Sequence, residues 1–264
     1  MMQTIRRRRF LKAILASTLV PLSSVRSGLE AGQSAAVGRR PRIIVFDVNE
    51  TLLDISALGS RFARIFGNAN LVQEWFSNVV LYSQATTIAG PYVDFGTVAR
   101  ASLQMTASAH GVPLAKTDED DVIKGLVSLP AHADVRDGLD KLRAAGFRLV
   151  TLTNSAPAVV EQQLKNAGIG EYFERRFSVD AVRQFKPAPD VYRLVAIDLG
   201  VDVSQLRLIA AHAWDVMGAL RAGYAAAFVA RPGKVLYPLA GKPDVIGSDL
   251  RIVAEQVVEK DTAR

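Results

Sequence analysis

The sequence of 264 residues contains no cysteine. This absence excludes disulfide bonds, thiol nucleophiles and thiolate metal sites. No internal repeat or low-complexity segment is apparent in the sequence. The apolar stretch near the N-terminus, residues 13–22, is about ten residues long, whereas a membrane-spanning helix needs about 20. This segment is therefore too short to cross a bilayer.

The net charge of the chain is also small when the N-terminal residues are left out of the count. The whole chain has a net charge of +6. Residues 1–36 hold six Lys and Arg against one Glu, so the rest of the chain carries about +1. A near-neutral body lacks the basic surface that nucleic-acid binding requires. We therefore predict that nucleic acid is not a partner.

The basic N-terminus is similar to an export signal. Four arginines at residues 6–9 precede a Phe-Leu-Lys triplet and the short apolar stretch, and Ser-Ala-Ala at residues 34–36 offers a cleavage site. This order is typical of the twin-arginine signal. We predict a signal peptide over residues 1–36, recognition by the twin-arginine export machinery, and a periplasmic protein that enters already folded. A wrongly assigned start codon or a plain basic tail is the alternative.

Beyond a linker over residues 23–40, apolar runs alternate with helical patterns. The runs at 42–46, 147–153 and 206–211 are short and apolar, which is typical of strands buried on both faces. Strands that alternate with helices predict a parallel sheet with crossover helices.

About a hundred residues separate the first two predicted strands, and most of them have a helical pattern. In the second of these helices an apolar face is expected at Leu71, Trp75, Val79 and Tyr82. A further helix returns to the sheet. The five predicted helices span residues 56–67, 69–88, 94–109, 117–128 and 134–145.

Polar residues follow the predicted strands directly. Asp47 comes after the first strand, and Thr51 is close enough in sequence to hydrogen-bond it. In open parallel sheets, ligands bind beyond the carboxyl ends of the strands. We therefore expect Asp47 at the mouth of a site, although an Asp that only caps a helix is the simpler alternative.

Three further segments also carry polar residues at or just after the end of a strand or in a loop. Thr153 and Asn154 end the second strand, Lys186 precedes a proline in a loop before a helix, and Asp215 follows the third strand. This ordered set resembles the haloacid dehalogenase-like hydrolase superfamily over about residues 41–258. The resemblance implies an α/β fold, a Rossmann-like parallel sheet flanked by helices, with a small helical cap inserted after the first strand. It places the core at residues 37–54 and 131–264 and the cap at 55–130.

Two positions separate subclasses of that superfamily. Phosphatases have a second Asp two residues after the nucleophile, where this chain has Asn49, and an amide cannot protonate a leaving group. Magnesium-dependent members have an acidic pair that ends at the position of Asp215, but its earlier member is Ala211 here. Mg²⁺ needs oxygen ligands. The chain therefore resembles the type II 2-haloacid dehalogenase branch, which uses neither metal nor cofactor.

The resemblance also implies roles for individual residues. Asp47 would be the nucleophile that forms an ester. Lys186 would keep it ionised, and Asp215 would orient Lys186 or position the hydrolytic water. Thr153 and Asn154 would bind the substrate carboxylate or the leaving group, and N-capping by Asn154 is compatible with that role. The remaining substrate-binding candidates are Asn49, Tyr192, Trp75 and Phe76.

The chain departs from the branch at three positions. Matching Trp75 to the cap tryptophan puts Phe76 where the branch has the arginine that receives the halide. His212 stands in place of an asparagine and Ala210 in place of a serine. His212 is either a general base near the water path or a packed, hydrogen-bonded neighbour. Substitute halide receivers, if the alignment slips, are Arg61, Arg64 and Arg100.

The leading hypothesis is metal-independent hydrolysis of small 2-haloacids through an aspartyl ester. One alternative keeps the fold but hydrolyses phosphate monoesters. Another is a secreted binding protein without catalysis. A homodimer is left open. The predicted catalytic residues are Asp47, Thr51, Lys186, Asp215 and His212.

Overall fold

A six-stranded parallel sheet forms the centre of the computed structural model, which describes residues 40–262. Its strand order is β3-β2-β1-β4-β5-β6. From the centre of the sheet, β1, β2 and β3 follow one another toward one edge, and β4, β5 and β6 follow one another toward the other edge. The strands are β1 (Ile43–Phe46), β2 (Arg148–Thr153), β3 (Arg175–Ser178), β4 (Leu206–Ala210), β5 (Ala225–Val229) and β6 (Val245–Gly247).

The reversal of strand order lies between β1 and β4, and it positions the site. Phe46 pairs with Ile209 in the parallel register, so both strands end at the same edge of the sheet. All residues of β1 and β4 are buried, which explains why they are apolar except for Arg207. The Arg207 guanidinium is buried in ion pairs with Asp244 and Asp261. A crevice opens beyond the carboxyl ends at such a switch point.

Helices cover both faces of the sheet, as the alternating pattern predicts. Their N-termini follow short turns, and Pro157 and Pro189 each occupy the first turn of a helix, where the missing N–H costs nothing. The predicted fold class is confirmed. These helices are α5 (Val135–Ala144), α6 (Pro157–Asn166), α7 (Pro189–Leu199), α8 (Ala213–Arg221) and α9 (Leu250–Thr262).

Four more helices fill the insert between β1 and β2, after a 3₁₀ turn at Ile55–Leu58. They agree with the predicted helices to within a few residues at each end. They are α1 (Gly59–Phe66), α2 (Leu71–Ala89), α3 (Phe95–Ala109) and α4 (Lys116–Val127). We call them the cap helices; the exact domain boundaries stay a prediction.

One expectation about α2 is wrong. Leu71, Trp75 and Val79 are buried, but Tyr82 is exposed and Ser83 continues the buried stripe. Four-residue steps keep side chains on one helix face, and the Ser83 hydroxyl is satisfied by donating to the Val79 carbonyl at 2.7 Å. A small polar residue can therefore occupy the tightly packed position.

The predicted signal peptide lies outside the described residues. Within residues 40–262, no helix combines the length and the apolar character that crossing a membrane requires.

Candidate active site

Asp47 follows β1 directly and is buried. Its Oδ2 accepts a hydrogen bond from Thr51 Oγ1 at 2.6 Å, and its Oδ1 lies 3.2 Å from Lys186 Nζ. Thr51 Oγ1 in turn accepts from the backbone N–H of Ala211, at 2.9 Å. The turn after β1 is thereby tied to the end of β4, so the carboxylate is held in one orientation.

Lys186 lies between two carboxylates and is fully buried. Its Nζ is 2.8 Å from Asp215 Oδ2 as well as 3.2 Å from Asp47 Oδ1. Burial alone would lower the pKa of Lys186, but the charges of Asp215 and Asp47 outweigh it and raise the pKa. The side chain therefore remains an ammonium.

The same contacts keep Asp47 ionised. Burial would raise the pKa of Asp47, but the Lys186 charge and the hydrogen bonds from His212 and Thr51 lower it below its usual range. An ionised, immobilised carboxylate is the state in which aspartate acts as a nucleophile.

Asp215 lies in the first turn of α8 and is fully buried. Its Oδ1 accepts a hydrogen bond from the Tyr192 hydroxyl at 2.6 Å. Burial raises the pKa of Asp215 against the opposing charge of Lys186. Gly218 makes this contact possible, because a Cβ there would collide with the Tyr192 ring and hydroxyl. Tyr192 thus holds the Asp215 carboxylate in place through this hydrogen bond and does not line the cavity.

The end of β2 supplies a second group of polar side chains. Asn154 Oδ1 accepts from the backbone N–H of Lys186 at 3.1 Å. Thr153 is fully buried, and its hydroxyl accepts from the N–H of Ser155 at 3.1 Å. Asn154 borders the cavity, whereas Thr153 holds the turn that carries it.

Asn49 uses both ends of its amide in protein contacts. Its Nδ2 donates to Ser155 Oγ at 3.2 Å, and its Oδ1 accepts from Gln163 Nε2 at 3.0 Å. Gln163 also donates to the carbonyl of Leu126 at the end of α4. Asn49 thus takes part in fixing the last cap helix to the core.

These residues do not fit a magnesium site. Asn49 presents an engaged amide, Ala211 has no ligand atom, and the Lys186 ammonium already lies between the two carboxylates. Residues 40–262 contain no cluster of three His, Cys, Asp or Glu arranged to hold a metal ion.

A narrow cavity lies over Asp47, between the sheet and the cap helices. It has about 10 Å³ of room, the space of roughly one water. The core supplies its polar floor and the cap an apolar roof, so it suits a very small molecule with one charged end. The cavity is lined by Asp47, Asn49, Phe76, Val80, Phe95, Asn154, His212 and Trp214.

Phe76 belongs to this roof, as the match to the cap tryptophan implied. Trp75 does not line the cavity: it is fully buried among the cap helices, and its Nε1 donates to the Ala99 carbonyl at 2.9 Å. Consecutive residues of a helix point in different directions. Trp75 therefore packs the cap from within, while Phe76 faces the site.

The three substitute arginines do not line the cavity either. Arg61 and Arg64 bind acids of α4, with Arg61 Nε 3.2 Å from an Asp121 carboxylate oxygen. Arg100 binds Glu119 at 2.7 Å. The suggestion that one of them receives the halide is thus not supported by their positions, since each is already paired with a carboxylate within the cap.

Sequence analysis missed Glu50, which is buried close to Asp47. It has a backbone φ of 61°, a conformation that non-glycine residues rarely adopt. Its Oε2 lies 2.8 Å from His212 Nε2 and its Oε1 2.7 Å from Lys234 Nζ. A polar residue in the turn between Asp47 and Thr51 was the available signal.

Arg231 was also missed, and it holds the same turn from the other side. Its Nη2 donates to the Thr51 carbonyl at 2.9 Å, and its Nη1 lies 2.7 Å from Asp134 Oδ1. The turn that follows Asp47 is therefore fixed by a buried ion pair. No local pattern around Arg231 indicates this role.

His212 lies between two carboxylates. Its Nδ1 is 3.1 Å from Asp47 Oδ2 and its Nε2 2.8 Å from Glu50 Oε2, while Trp214 stacks on the ring at 4.8 Å. Burial would lower the pKa of His212, but the bonds to Asp47 and Glu50 raise it to about 9. At neutral pH it is an imidazolium that donates to both carboxylates, so it cannot act as a base in this state.

A family model and individual relatives all place this chain in the same family. A model described as haloacid dehalogenase-like hydrolase matches residues 41–223. The (S)-2-haloacid dehalogenase of Xanthobacter autotrophicus is 31% identical over 192 residues, covering 72% of this chain and 75% of that protein. That of Pseudomonas sp. (strain YL) is 28% identical over 214 residues, covering 80% and 92%.

Solved structures of L-2-haloacid dehalogenases have a fold similar to that of this chain. The L-2-haloacid dehalogenase from Xanthobacter autotrophicus superimposes with a TM-score of 0.77 at 27% identity, covering 82% of this chain and 98% of that one. The same enzyme with chloropropionic acid covalently bound gives a TM-score of 0.77 at 26% identity, with the same coverage.

Proposed function

Because the chain belongs to the haloacid dehalogenase-like hydrolases, we propose that it hydrolyses the carbon–halogen bond of small 2-haloacids. The observation that carries this proposal is the ionised Asp47 held by Lys186 under an apolar roof, with the amide of Asn49 where a phosphatase has its acid. The names of the relatives support the same substrate class.

In the first half of the reaction a carboxylate oxygen of Asp47 attacks carbon 2 of the substrate. The new carbon–oxygen bond forms opposite the carbon–halogen bond, the halide leaves with its electron pair, and the carbon is inverted. Lys186 remains charged and balances Asp215. A narrow cavity under an apolar roof strengthens these electrostatic contacts.

In the second half, water attacks the carbonyl carbon of the aspartyl ester and the 2-hydroxy acid leaves. Asp215 keeps Lys186 in place throughout, through the 2.8 Å contact. Attack on the aspartyl carbon, and not on the substrate, returns Asp47 with an oxygen from water. This distinguishes the covalent route from direct displacement by water.

Substrate enters only when the roof moves. A space of about 10 Å³ is too small for a haloacid, so Phe76, Trp214 or the cap helices must shift to admit it. Asn154 borders the cavity, and its side-chain amide is the group of this segment that would meet the substrate carboxylate. The departing halide would meet Asn154 and the ring edge of Phe76.

The N-terminal sequence supports a location. We propose export by the twin-arginine route and activity in the periplasm, on the basis of the arginines at residues 6–9 and the short apolar stretch that follows.

The deciding experiment measures halide release from fluoro-, chloro- and bromoacetate and from both enantiomers of 2-chloropropionate. Repeated turnover in ¹⁸O-water should label Asp47, and Asp47→Asn should abolish release. The exposed Asp190 serves as a matched control, since its carboxylate pairs with Arg193 on the surface and does not line the cavity. Label that enters only the product in a single turnover would refute the covalent mechanism, and no release from any haloacid would refute the function.

A further inference from the structure

A second cavity, of about 360 Å³ and mainly apolar, lies where the end of α2 meets the loop that carries Lys186. Within residues 40–262, Gln84 Nε2 is buried and finds no hydrogen-bond acceptor, which marks this side of α2 as incompletely packed. The space is large enough for several methylene groups, whereas the reaction cavity over Asp47 holds about one water. The apolar cavity is lined by Gln84, Thr87, Ile88, Phe185, Pro187 and Ala188.

One face of α2 runs along both cavities. Phe76 and Val80 line the reaction cavity, and Gln84 and Ile88 line the apolar cavity. These four residues follow one another at steps of four in the sequence, which places them on one side of the helix. A chain of atoms that extends from Asp47 along α2 therefore leads from one cavity towards the other.

Phe185 stands between the two cavities. Its side chain borders the apolar cavity, and its ring centre lies 6.1 Å from that of Phe95, which lines the reaction cavity. The next residue, Lys186, contacts Asp47 with its ammonium and Asn154 with its backbone N–H. Because the ring of Phe185 is buried, it closes a space that would otherwise continue along α2.

Contacts from the cap hold Phe185 in place. Its backbone N–H donates to Thr87 Oγ1 at 2.9 Å, and the Tyr92 ring centre lies 5.0 Å from its own. The Tyr92 hydroxyl donates to Asp180, and the Arg183 guanidinium lies over the Tyr92 ring at 5.4 Å. The phenyl ring is thus fixed, so a substrate chain does not displace it easily.

The roof over Asp47 is packed more densely at Phe76. The Phe76 ring contacts Trp75 at 6.0 Å and Phe95 at 6.3 Å, and Trp75 is fully buried among the cap helices. A substrate chain directed at Phe76 would meet protein that is already close-packed. Phe185 differs because open apolar space lies behind it.

We propose that Phe185 sets the chain length of the substrate, so that the enzyme takes haloacetates and 2-halopropionates and excludes longer 2-haloacids. This inference rests on the proposed dehalogenase function and specifies its substrate class. The carboxylate and the halide take the polar groups of the site. The alkyl group is left to the apolar side chains of α2 and extends from Val80 towards Phe185. A methyl group fits in front of the ring, and a longer chain collides with it.

Removal of the ring should reverse this preference. In Phe185→Ala the two cavities join, and a longer alkyl chain can continue along α2 into the apolar space. Each methylene group that leaves water there favours the longer substrate by about fourfold. The preference for short chains is therefore a property of one side chain, and it is not set by the polar groups around Asp47.

The test measures kcat/KM for halide release from 2-bromopropionate and 2-bromohexanoate, each as the (S) enantiomer. The unaltered enzyme should prefer 2-bromopropionate. Phe185→Ala should raise the ratio of the longer to the shorter substrate by about sixtyfold, from about fourfold for each of the three added methylene groups. Phe185→Leu, a milder change, should give an intermediate ratio. Ile88→Trp added to Phe185→Ala should cancel the gain, because the exposed Ile88 borders the joined cavity and a larger ring fills it.

Phe147→Ala is the matched control. Phe147 is a buried ring that precedes β2, at the edge of the sheet opposite to Asp47, so its removal should leave the substrate ratio as in the unaltered enzyme. A ratio that Phe185→Ala does not change would overturn the inference. Equal hydrolysis of both acids by the unaltered enzyme would overturn it as well.

Binding without turnover separates this inference from the proposed function. No halide from either acid, with any of these proteins, would refute the dehalogenase function. Calorimetry with propionate and hexanoate, on Asp47→Asn with and without Phe185→Ala, reports the chain-length limit in either case. Hexanoate should bind more tightly than propionate only when Phe185 is replaced, and the same preference in both proteins would overturn the inference.

Discussion

The ammonium of Lys186 lies 3.2 Å from Oδ1 of Asp47, and Lys186 is fully buried while Asp47 is 5% exposed. The two residues are 139 positions apart in the chain. The positive charge of Lys186, held in a fixed position, stabilises the Asp47 carboxylate in place of the solvent that burial removes. Among the groups that keep Asp47 ionised, Lys186 therefore makes the largest contribution, ahead of His212 and Thr51.

Lys186→Met should raise the pKa of Asp47, since burial is then opposed only by His212 and Thr51. The unaltered enzyme needs Asp47 ionised, and its low pKa keeps it so across the neutral and mildly acidic range. In the variant the acid limb of kcat/KM should move to higher pH, and activity at neutral pH should fall by about 10²-fold or more. The pH–rate profile measures both effects. Lys165→Met, at an exposed position, is the control, and an acid limb common to all three proteins would contradict the assignment.

Phe76→Arg should increase dehalogenation. A departing halide at Phe76 lacks a charge-assisted hydrogen bond worth roughly 1.5–3 kcal/mol, which corresponds to about ten- to a hundredfold in rate. Chloride release from 2-chloropropionate measures the gain. Tyr82→Arg adds the same charge to the exposed face of the same helix and should have no effect. Equal rates in all three proteins would show that another group receives the halide.

Activity should survive EDTA. Asn49 and Ala211 occupy positions where carboxylates would serve a magnesium site, and the Lys186 ammonium lies between the two remaining acids. Halide release is measured before and after dialysis against EDTA. Loss of activity that Mg²⁺ restores would contradict this and would favour phosphatase chemistry, which a phosphate-release assay would then detect.

Export should depend on the arginine pair. Replacing Arg7 and Arg8 by lysine keeps the charge but removes the pattern that the twin-arginine machinery recognises. The precursor should then stay in the cytoplasm, as fractionation and immunoblotting would show. The conservative change Arg26→Lys, beyond the apolar stretch, is the control. An unchanged periplasmic yield would argue for another route.

The positions of several site residues were predictable because they depend on the sequence immediately around them. A strand buried on both faces has a continuous apolar sequence, and the residue after it lies at the open edge of the sheet. Asp47, Asn154 and Asp215 were found in this way. Lys186 was predicted from its place in the ordered set of segments that resembles the superfamily, where it precedes a proline before a helix. The first three positions depend on neighbours in the sequence.

The roles of Trp75, Tyr192 and Glu50 were not predictable in this way. Whether Trp75 or Phe76 faces the cavity depends on how α2 rotates against the sheet, and a single residue step changes the direction by about 100°. Tyr192 is turned toward Asp215 because Gly218 leaves room for its ring. These outcomes depend on packing between elements, which residue spacing does not specify.

The parallel α/β fold, the place of Asp47 at the end of a strand and the absence of thiol chemistry follow from the amino-acid sequence, because strand burial, strand-end position and composition are local properties. The contacts of His212 with Asp47 and Glu50, from which it is separated by 165 and 162 residues, arise only when the chain folds. The charge state of an imidazole depends on what lies within a few ångströms of it. That distance is set by the pairing of β1 with β4 and by the turn at Glu50, so the protonation of His212 is a property of the folded chain.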